Sequence, residues 1–252
     1  MLEGQPNFRD LGGYPTSDGS SVVSGQLYRS GDFSAVTERD LHRLEELGIR
    51  TVVDLRSEPE AAARPDLLPA AVNYRPLRLL PAVDNASMEE MFRTGDFRSF
   101  PSWETVYRSG IRDHPDVFAA LIRLAADPQA RPLVFHCATG KDRTGIGAAL
   151  LLSVLGVAWS EVEKDYLRSN ALLGPGKAAM VDRIAREMEQ AGLRLEDEAR
   201  RQLEDMLLVD VAFLDAAHDE MAQLAGSVEG YLLTSLGIDE RLAASLRDQL
   251  LR

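Results

Sequence analysis

The stretch that most constrains this chain runs from Leu133 to Leu155. A short apolar run, Leu133-Val134-Phe135, leads through His136 into Cys137, the single cysteine of the sequence. Ala138-Thr139-Gly140-Lys141-Asp142-Arg143-Thr144-Gly145 follows, and then a longer apolar run from Ile146 to Leu155. A short apolar run, a polar break with glycine and a longer apolar run read as buried strand, tight loop and helix. The thiol then sits at the carboxyl end of a strand and faces a helix N-terminus. Such a terminus stabilises an anion, Arg143 adds a fixed positive charge, and the Thr144 hydroxyl can donate to sulfur. These features favour the thiolate, which is the nucleophilic form. The amides of Ala138, Thr139, Gly140, Lys141, Asp142 and Arg143 can curl around phosphate oxygens, with Gly140 permitting the tight turn. Arg143 can grip two of those oxygens at once and hold the transition state more strongly than the ground state. Spacing of the type Cys-x5-Arg alone is a weak signal, since a buried cysteine ending a strand is common. The flanking His136, Gly140 and Thr144-Gly145 make it specific. His136 is expected to support the loop, because neighbouring strand side chains point to opposite faces.

The segments before the loop alternate helix and strand signals, as an α/β sheet requires. Gln26 to Arg29 reads as a short strand, and Asp18-Gly19 as a hairpin turn. Thr37 to Leu47 reads as a helix with Thr37 as N-cap, Asp40 three residues on and Gly48 as its stop. Ile49 to Leu55 reads as a buried strand and Val72 to Leu77 as another candidate. Residues 81 to 105 have weak periodicity, with a short helical piece near Met88 to Phe92. They are expected to form a surface connection or a lid over the catalytic loop. A helix opens at His114-Pro115-Asp116 and stops at Asp127-Pro128. Beyond residue 157 the chain is almost entirely helical: Ser160-Glu161-Val162-Glu163 reads as a capping box, and helices are expected over Lys177 to Gln190, Glu196 to about His218, Ser227 to Leu236 and Asp239 to Leu251. The expectation is one domain over 1–252, an α/β core over 1–156 with helices 157–252 packed on it.

Composition bounds the partners. With 40 acidic and 28 basic residues the formal net charge is −12, which argues against nucleic acid or an anionic membrane as general partner. A lone cysteine excludes an internal disulfide. No apolar run approaches the length of a membrane span, and the first residues lack the pattern of a signal peptide. The chain is therefore expected to be cytoplasmic, or exported without a recognisable signal. The four histidines, His42, His114, His136 and His218, do not have metal-ligand spacing, and no metal or cofactor is expected.

His136-Cys137-x-x-Gly140-Lys141-Asp142-Arg143-Thr144-Gly145 resembles the phosphate loop of a bacterial tyrosine-phosphatase-like family. Asn7-Phe8-Arg9-Asp10-Leu11-Gly12-Gly13, Leu27-Tyr28-Arg29-Ser30-Gly31 and Val53-Asp54-Leu55-Arg56-Ser57 resemble further signatures of that family. Gly226-Ser227-Val228-Glu229-Gly230-Tyr231 and Leu236-Gly237 resemble its C-terminal region, so the resemblance covers nearly the whole chain. It departs at Thr139, where alanine is usual. The resemblance implies a cysteine-dependent phosphatase fold, with a mixed, mainly parallel sheet of about four to five strands flanked by helices. It implies hydrolysis of phosphotyrosine, and in some members of phosphoserine, phosphothreonine or phosphoinositides, releasing inorganic phosphate. Lys141-Asp142 is also similar to loops of lipid phosphatases, and Lys141 is expected to contact substrate phosphate.

The proton donor to the leaving oxygen stays open between two residues, since the Trp-Pro-Asp tripeptide of larger tyrosine phosphatases is absent. Asp54 ends a strand, where ligands of open α/β sheets gather, and the resemblance also favours it. Asp142 lies inside the loop, where an anion beside phosphate is unfavourable unless it keeps its proton or pairs with Lys141. Asp54 is the favoured donor, with Asp142 essential in either role. Arg9, Asp10 and Arg29 are expected to brace the loop. The alternative from another class is a catalytically silent phosphate-binding module with the same pocket.

Overall fold

A computed structural model describes residues 2–79, 90, 94, 100–190, 192, 194, 195 and 197–252. Its centre is β5 (Leu133–His136), buried along its whole length. Parallel neighbours flank it, β2 (Leu27–Ser30) on one side and β3 (Thr51–Asp54) on the other. β4 (Asn73–Pro76) runs parallel to β3, and β1 (Arg9–Asp10) closes the far edge antiparallel to β2, giving the order β1-β2-β5-β3-β4. The mixed, mainly parallel sheet thus has five strands. Ser30 and Asp54 both pair in register with His136, so three strand ends come level where the loop begins.

Period-two alternation divides the core. Leu27, Val53, Leu133 and Phe135 face one layer, while Tyr28, Val52 and Val134 face the other. The first layer is built on α4 (Pro115–Ala126) and α5 (Arg143–Val154). Helix α5 is apolar all round and buried from Thr144 to Leu152, because helices pack on its outer side too. The second layer is α1 (Glu38–Glu46), whose Leu44 meets Phe33 and Ile49. The Thr37–Asp40 capping box forms as expected, and the Asp40 carboxylate also accepts from the amides of Glu3 and Gly4.

Short α2 (Glu58–Ala63) follows β3. Helix α3 (Trp103–Asp113) precedes α4; its pattern had no counterpart among the expected elements. Most of the expected lid, including Met88, Glu89, Met91 and Phe92, lies outside the described residues. The C-terminal helices are α6 (Trp159–Leu173), α7 (Lys177–Gln190), α8 (Asp197–Met206), α9 (Val211–Ala225), α10 (Val228–Thr234) and α11 (Glu240–Leu250). The last residues return to the N-terminal segment, Arg252 and Ser21 exchanging backbone hydrogen bonds.

Two expectations are corrected here. The single helix from Glu196 to His218 is two, because the Asn170 side chain accepts from the Val209 amide and donates to its carbonyl, each at 2.8 Å. Asp210 then caps α9 through the Ala212 amide. The capping box at Ser160 does not form either: extended Ala158 is the N-cap, so Ser160 already lies in the first turn. Among the described residues no helix is long and apolar enough to cross a membrane.

Candidate active site

The loop between β5 and α5 owes its shape to groups that hold its carbonyls from behind. The Ala138 carbonyl accepts from the Asp32 amide at 3.1 Å and the Thr139 carbonyl from Asn7 Nδ2 at 2.8 Å. Arg29 Nη2 donates to the Gly140 carbonyl at 2.8 Å and reaches that of Lys141 at 3.4 Å. Four successive carbonyls are thereby engaged within the protein. Among the described residues, none of the amides from 138 to 143 donates to a protein acceptor. Unsatisfied amides of a turn that opens a helix form an anion cradle.

The brace is itself anchored. Arg29 Nη1 meets Asp165 of α6 at 2.6 Å, and Arg9 meets the same carboxylate at 2.8 Å. Arg9 also donates to the Asn7 side chain, linking the two supports. Burial raises the pKa of Asp165, but the charges of Arg29 and Arg9 outweigh it and hold the carboxyl well below its usual range. Arg9 and Arg29 therefore stand behind the loop as expected. Asp10 does not, since its carboxylate accepts from the Gly12 and Gly25 amides and fixes the N-terminal turn.

Cys137 is 2% exposed at the base of the cradle. Arg143 is held by Glu60 of α2, with Nη1 and Nη2 at 2.7 and 2.6 Å from its two carboxylate oxygens. Burial disfavours the guanidinium charge, yet Glu60, Cys137 and Asp142 outweigh that and raise the Arg143 pKa. Glu60 is correspondingly held at about 2 against the opposing effect of burial. Its Oε2 also accepts from the amide and hydroxyl of Ser57 at 2.8 Å, so one carboxylate caps α2 and aims the arginine. The Thr144 hydroxyl is buried, with no protein hydrogen-bond partner among the described residues.

Lys141 and Asp142 form a pair at 2.7 Å. Lys141 is 3% exposed, with its ammonium 4.3 Å from the centre of the Trp103 ring. Its charge thus meets Asp142 and an aromatic face. Asp142 also accepts from the Tyr107 hydroxyl at 2.9 Å.

Asp54 has surroundings unlike those of a proton donor. It is fully buried, with Arg56 Nε at 2.9 Å and Nη2 at 2.8 Å, and the Tyr74 hydroxyl donates to it at 2.7 Å. Burial pushes its pKa up, but Arg56, His136 and Tyr74 together hold it below the usual carboxylate value. Tyr74 itself is pushed up to about 12. Asp66 joins the cluster, 2.7 Å from Arg56 Nη2 and 3.2 Å from His136 Nε2. Asp54, Asp66 and His136 bring ligand atoms within 4.8 Å of one another, and the cation that bridges the two carboxylates is the Arg56 guanidinium. His136 Nδ1 lies 3.1 Å from the Cys137 carbonyl, with its ring edge-on to Phe33. The cluster underpins the loop from the side away from sulfur.

Sequence reasoning missed Glu60, Tyr107, Trp103 and Asp165. The Ser57–Glu60 spacing of a capping box could have singled out Glu60, though not its second partner. The profile described as the tyrosine phosphatase family matches residues 1–252. A Cupriavidus necator protein named as a tyrosine-protein phosphatase is 34% identical over 245 residues, covering 92% of this chain and 82% of that protein. The triple specificity protein phosphatase PtpB of Mycobacterium tuberculosis is 28% identical over 288 residues, covering 99% of this chain and 98% of that protein. The solved structure of Pseudomonas aeruginosa TpbA aligns at 20% identity and a TM-score of 0.33, over 59% of this chain and 71% of that one. Matched by that profile over its whole length and by a relative at 34% identity, this chain belongs to the tyrosine phosphatase family.

Proposed function

We propose that the protein hydrolyses phosphate monoesters of protein side chains, phosphotyrosine foremost, through a phosphocysteine on Cys137. The observation that carries this reading is the backward fixing of the four carbonyls from Ala138 to Lys141. It leaves loop amides free for phosphate oxygens beside Cys137 and Arg143. In the first step the Cys137 thiolate attacks phosphorus. The S–P bond forms as the ester P–O bond breaks, and Asp142 gives its proton to the leaving oxygen. Amides and Arg143 stabilise the equatorial oxygens. In the second step water attacks phosphorus and passes a proton to the Asp142 carboxylate. The S–P bond breaks, and thiolate and inorganic phosphate are released. The unpartnered Thr144 hydroxyl is assigned to the sulfur it would stabilise as leaving group. Neither step calls for a metal or an organic cofactor.

Asp142 takes the donor role in place of Asp54, because Asp142 lies in the loop itself with its side chain 19% exposed, whereas Asp54 is fully buried beneath Arg56 and Tyr74. The commitment of Lys141 to Asp142 and Trp103 weakens the case for a phosphoinositide head group, as does the acidic chain. The similarity to a protein phosphatase named for triple specificity supports more than one class of phosphate ester as substrate.

The test is a set of phosphopeptides and phosphoinositides, together with rapid mixing of an aryl phosphate. A burst of released phenol and a phosphopeptide preference are expected in the unmodified enzyme, and no turnover in Cys137→Ser. Turnover by that variant overturns the mechanism, and a phosphoinositide preference overturns the substrate class. Asp142→Asn is expected to lose about 100-fold in kcat/KM on phenyl phosphate and far less on para-nitrophenyl phosphate, whose leaving group needs little protonation.

A further inference from the structure

We infer that Tyr107 is a positioning residue that holds the Asp142 carboxyl in place for proton transfer; this rests on Asp142 as the proton donor. Tyr107 lies on α3 and is fully buried. Its hydroxyl donates to Asp142 Oδ1 at 2.9 Å and lies 2.6 Å from the Tyr166 hydroxyl. A phenol has one proton to give. Since Tyr107 gives its proton to Asp142, Tyr166 must donate to the Tyr107 oxygen. The result is a directed chain from Tyr166 through Tyr107 to Oδ1.

Both phenols keep their protons, because burial raises the pKa of each well above the ordinary value. Lys141 Nζ lies 2.7 Å from each oxygen of the same carboxyl, so Tyr107 and Lys141 together fix its orientation. The same helix face holds the other member of the loop pair. Trp103, one turn before Tyr107, lies against the Lys141 ammonium, which in turn meets Asp142 at 2.7 Å. Helix α3 therefore grips both charges of Lys141-Asp142. A tyrosine serving only to fill space against Phe213 and Tyr166 would lose little as phenylalanine.

The experiment compares Y107F, D142N and the double variant with phenyl phosphate and para-nitrophenyl phosphate, and uses inorganic phosphate inhibition as the readout of an intact cradle. Y107F is expected to lose about tenfold in kcat/KM on phenyl phosphate, as for one hydrogen bond to a charged group. The loss on para-nitrophenyl phosphate should be less than about twofold, with phosphate inhibition unchanged. The double variant should match D142N. Equal losses on both esters, weakened phosphate inhibition or a further loss in the D142N background each overturn the inference. If D142N itself shows no leaving-group selectivity, the donor assignment falls and the inference with it. If D142N is selective and Y107F is not, only the inference falls. Should Y107F not fold, Y166F decides, since removal of the first donor must produce the same selectivity in weaker form; a Y166F enzyme with uniform losses overturns the chain.

Discussion

Gly140 packs against Ser30 so closely that a β-carbon on Gly140 would lie 2.4 Å from the Ser30 carbonyl carbon and oxygen. Its φ of +72° adds a conformation that other residues adopt only with strain. The obstacle is backbone of β2, which is itself locked to β5, so it has no room to yield. Gly140→Ala must therefore shift the loop and pull its carbonyl from Arg29. Loss of kcat/KM by about 100-fold or more is expected, in line with the cost of small displacements at a reacting centre. Unfolding stability should fall by roughly 1–3 kcal/mol. Turnover of para-nitrophenyl phosphate and chemical denaturation measure the two. Wild-type turnover in this variant would show that the loop need not keep this contact.

Asp54→Asn separates a structural carboxylate from a catalytic one. Arg56 would keep Asp66 but lose the carboxylate that grips it through both Nε and Nη2 in a fully buried setting. A loss of about 3 kcal/mol in stability is expected, as when one partner of a buried ion pair is removed. With Asp142 as the proposed donor, activity should fall by a similar factor on phenyl and para-nitrophenyl phosphate. A loss confined to the poorer leaving group would return Asp54 to the donor role.

What was readable in the sequence was local. The strand, loop and helix around Cys137 are adjacent in the chain, and their apolar runs and glycine announce themselves. The Thr37–Asp40 capping box spans three residues and was legible for the same reason. The strand ending at Asp54 was also visible, but the Arg56 side chain folding back on it and Tyr74 reaching from β4 were not. Asp165 is 136 positions from Arg29, and Glu60 is 83 from Arg143. No periodicity encodes such pairings, because each depends on where the sheet brings two distant elements. The break at Val209 was hidden likewise, since the clamp that ends one helix and starts the next is Asn170, 39 positions away.

Glu60→Gln keeps the shape that holds Arg143 and removes the charge. Since Arg143 is needed most in the transition state, kcat should fall by about tenfold with a smaller change in KM. The Glu60 carboxyl moves from 4.5 to about 2 on folding. A depressed folded value contributes stability that is present above 4.5 and lost as pH falls toward 2. Glu60→Gln should thus cost roughly 1–3 kcal/mol at neutral pH. The gap from wild type should narrow between pH 4.5 and 2. Urea midpoints at neutral and acid pH measure it. An equal gap at both would mean that the pair contributes through packing and not through charge.

Asp165→Asn removes the charge on which the whole brace converges. Two buried guanidinium groups, Arg9 and Arg29, share this carboxylate, so the variant leaves both under-compensated. The expected cost is about 3–5 kcal/mol. Arg29 would also hold the Gly140 carbonyl less firmly, and inhibition by inorganic phosphate should weaken several-fold although Asp165 touches no substrate. Asp165 has its pKa lowered on folding from an ordinary 3.8. Its contribution is therefore full above that value and disappears only as pH falls through the lower folded one. Wild type and variant should differ by a constant amount from neutral pH down to about 5, and converge below about 4. Convergence already at mildly acid pH would mean that the carboxylate is not held by its two arginines. Unchanged phosphate inhibition would separate the brace from the cradle and leave Asn7 and Asp32 as the supports that shape it.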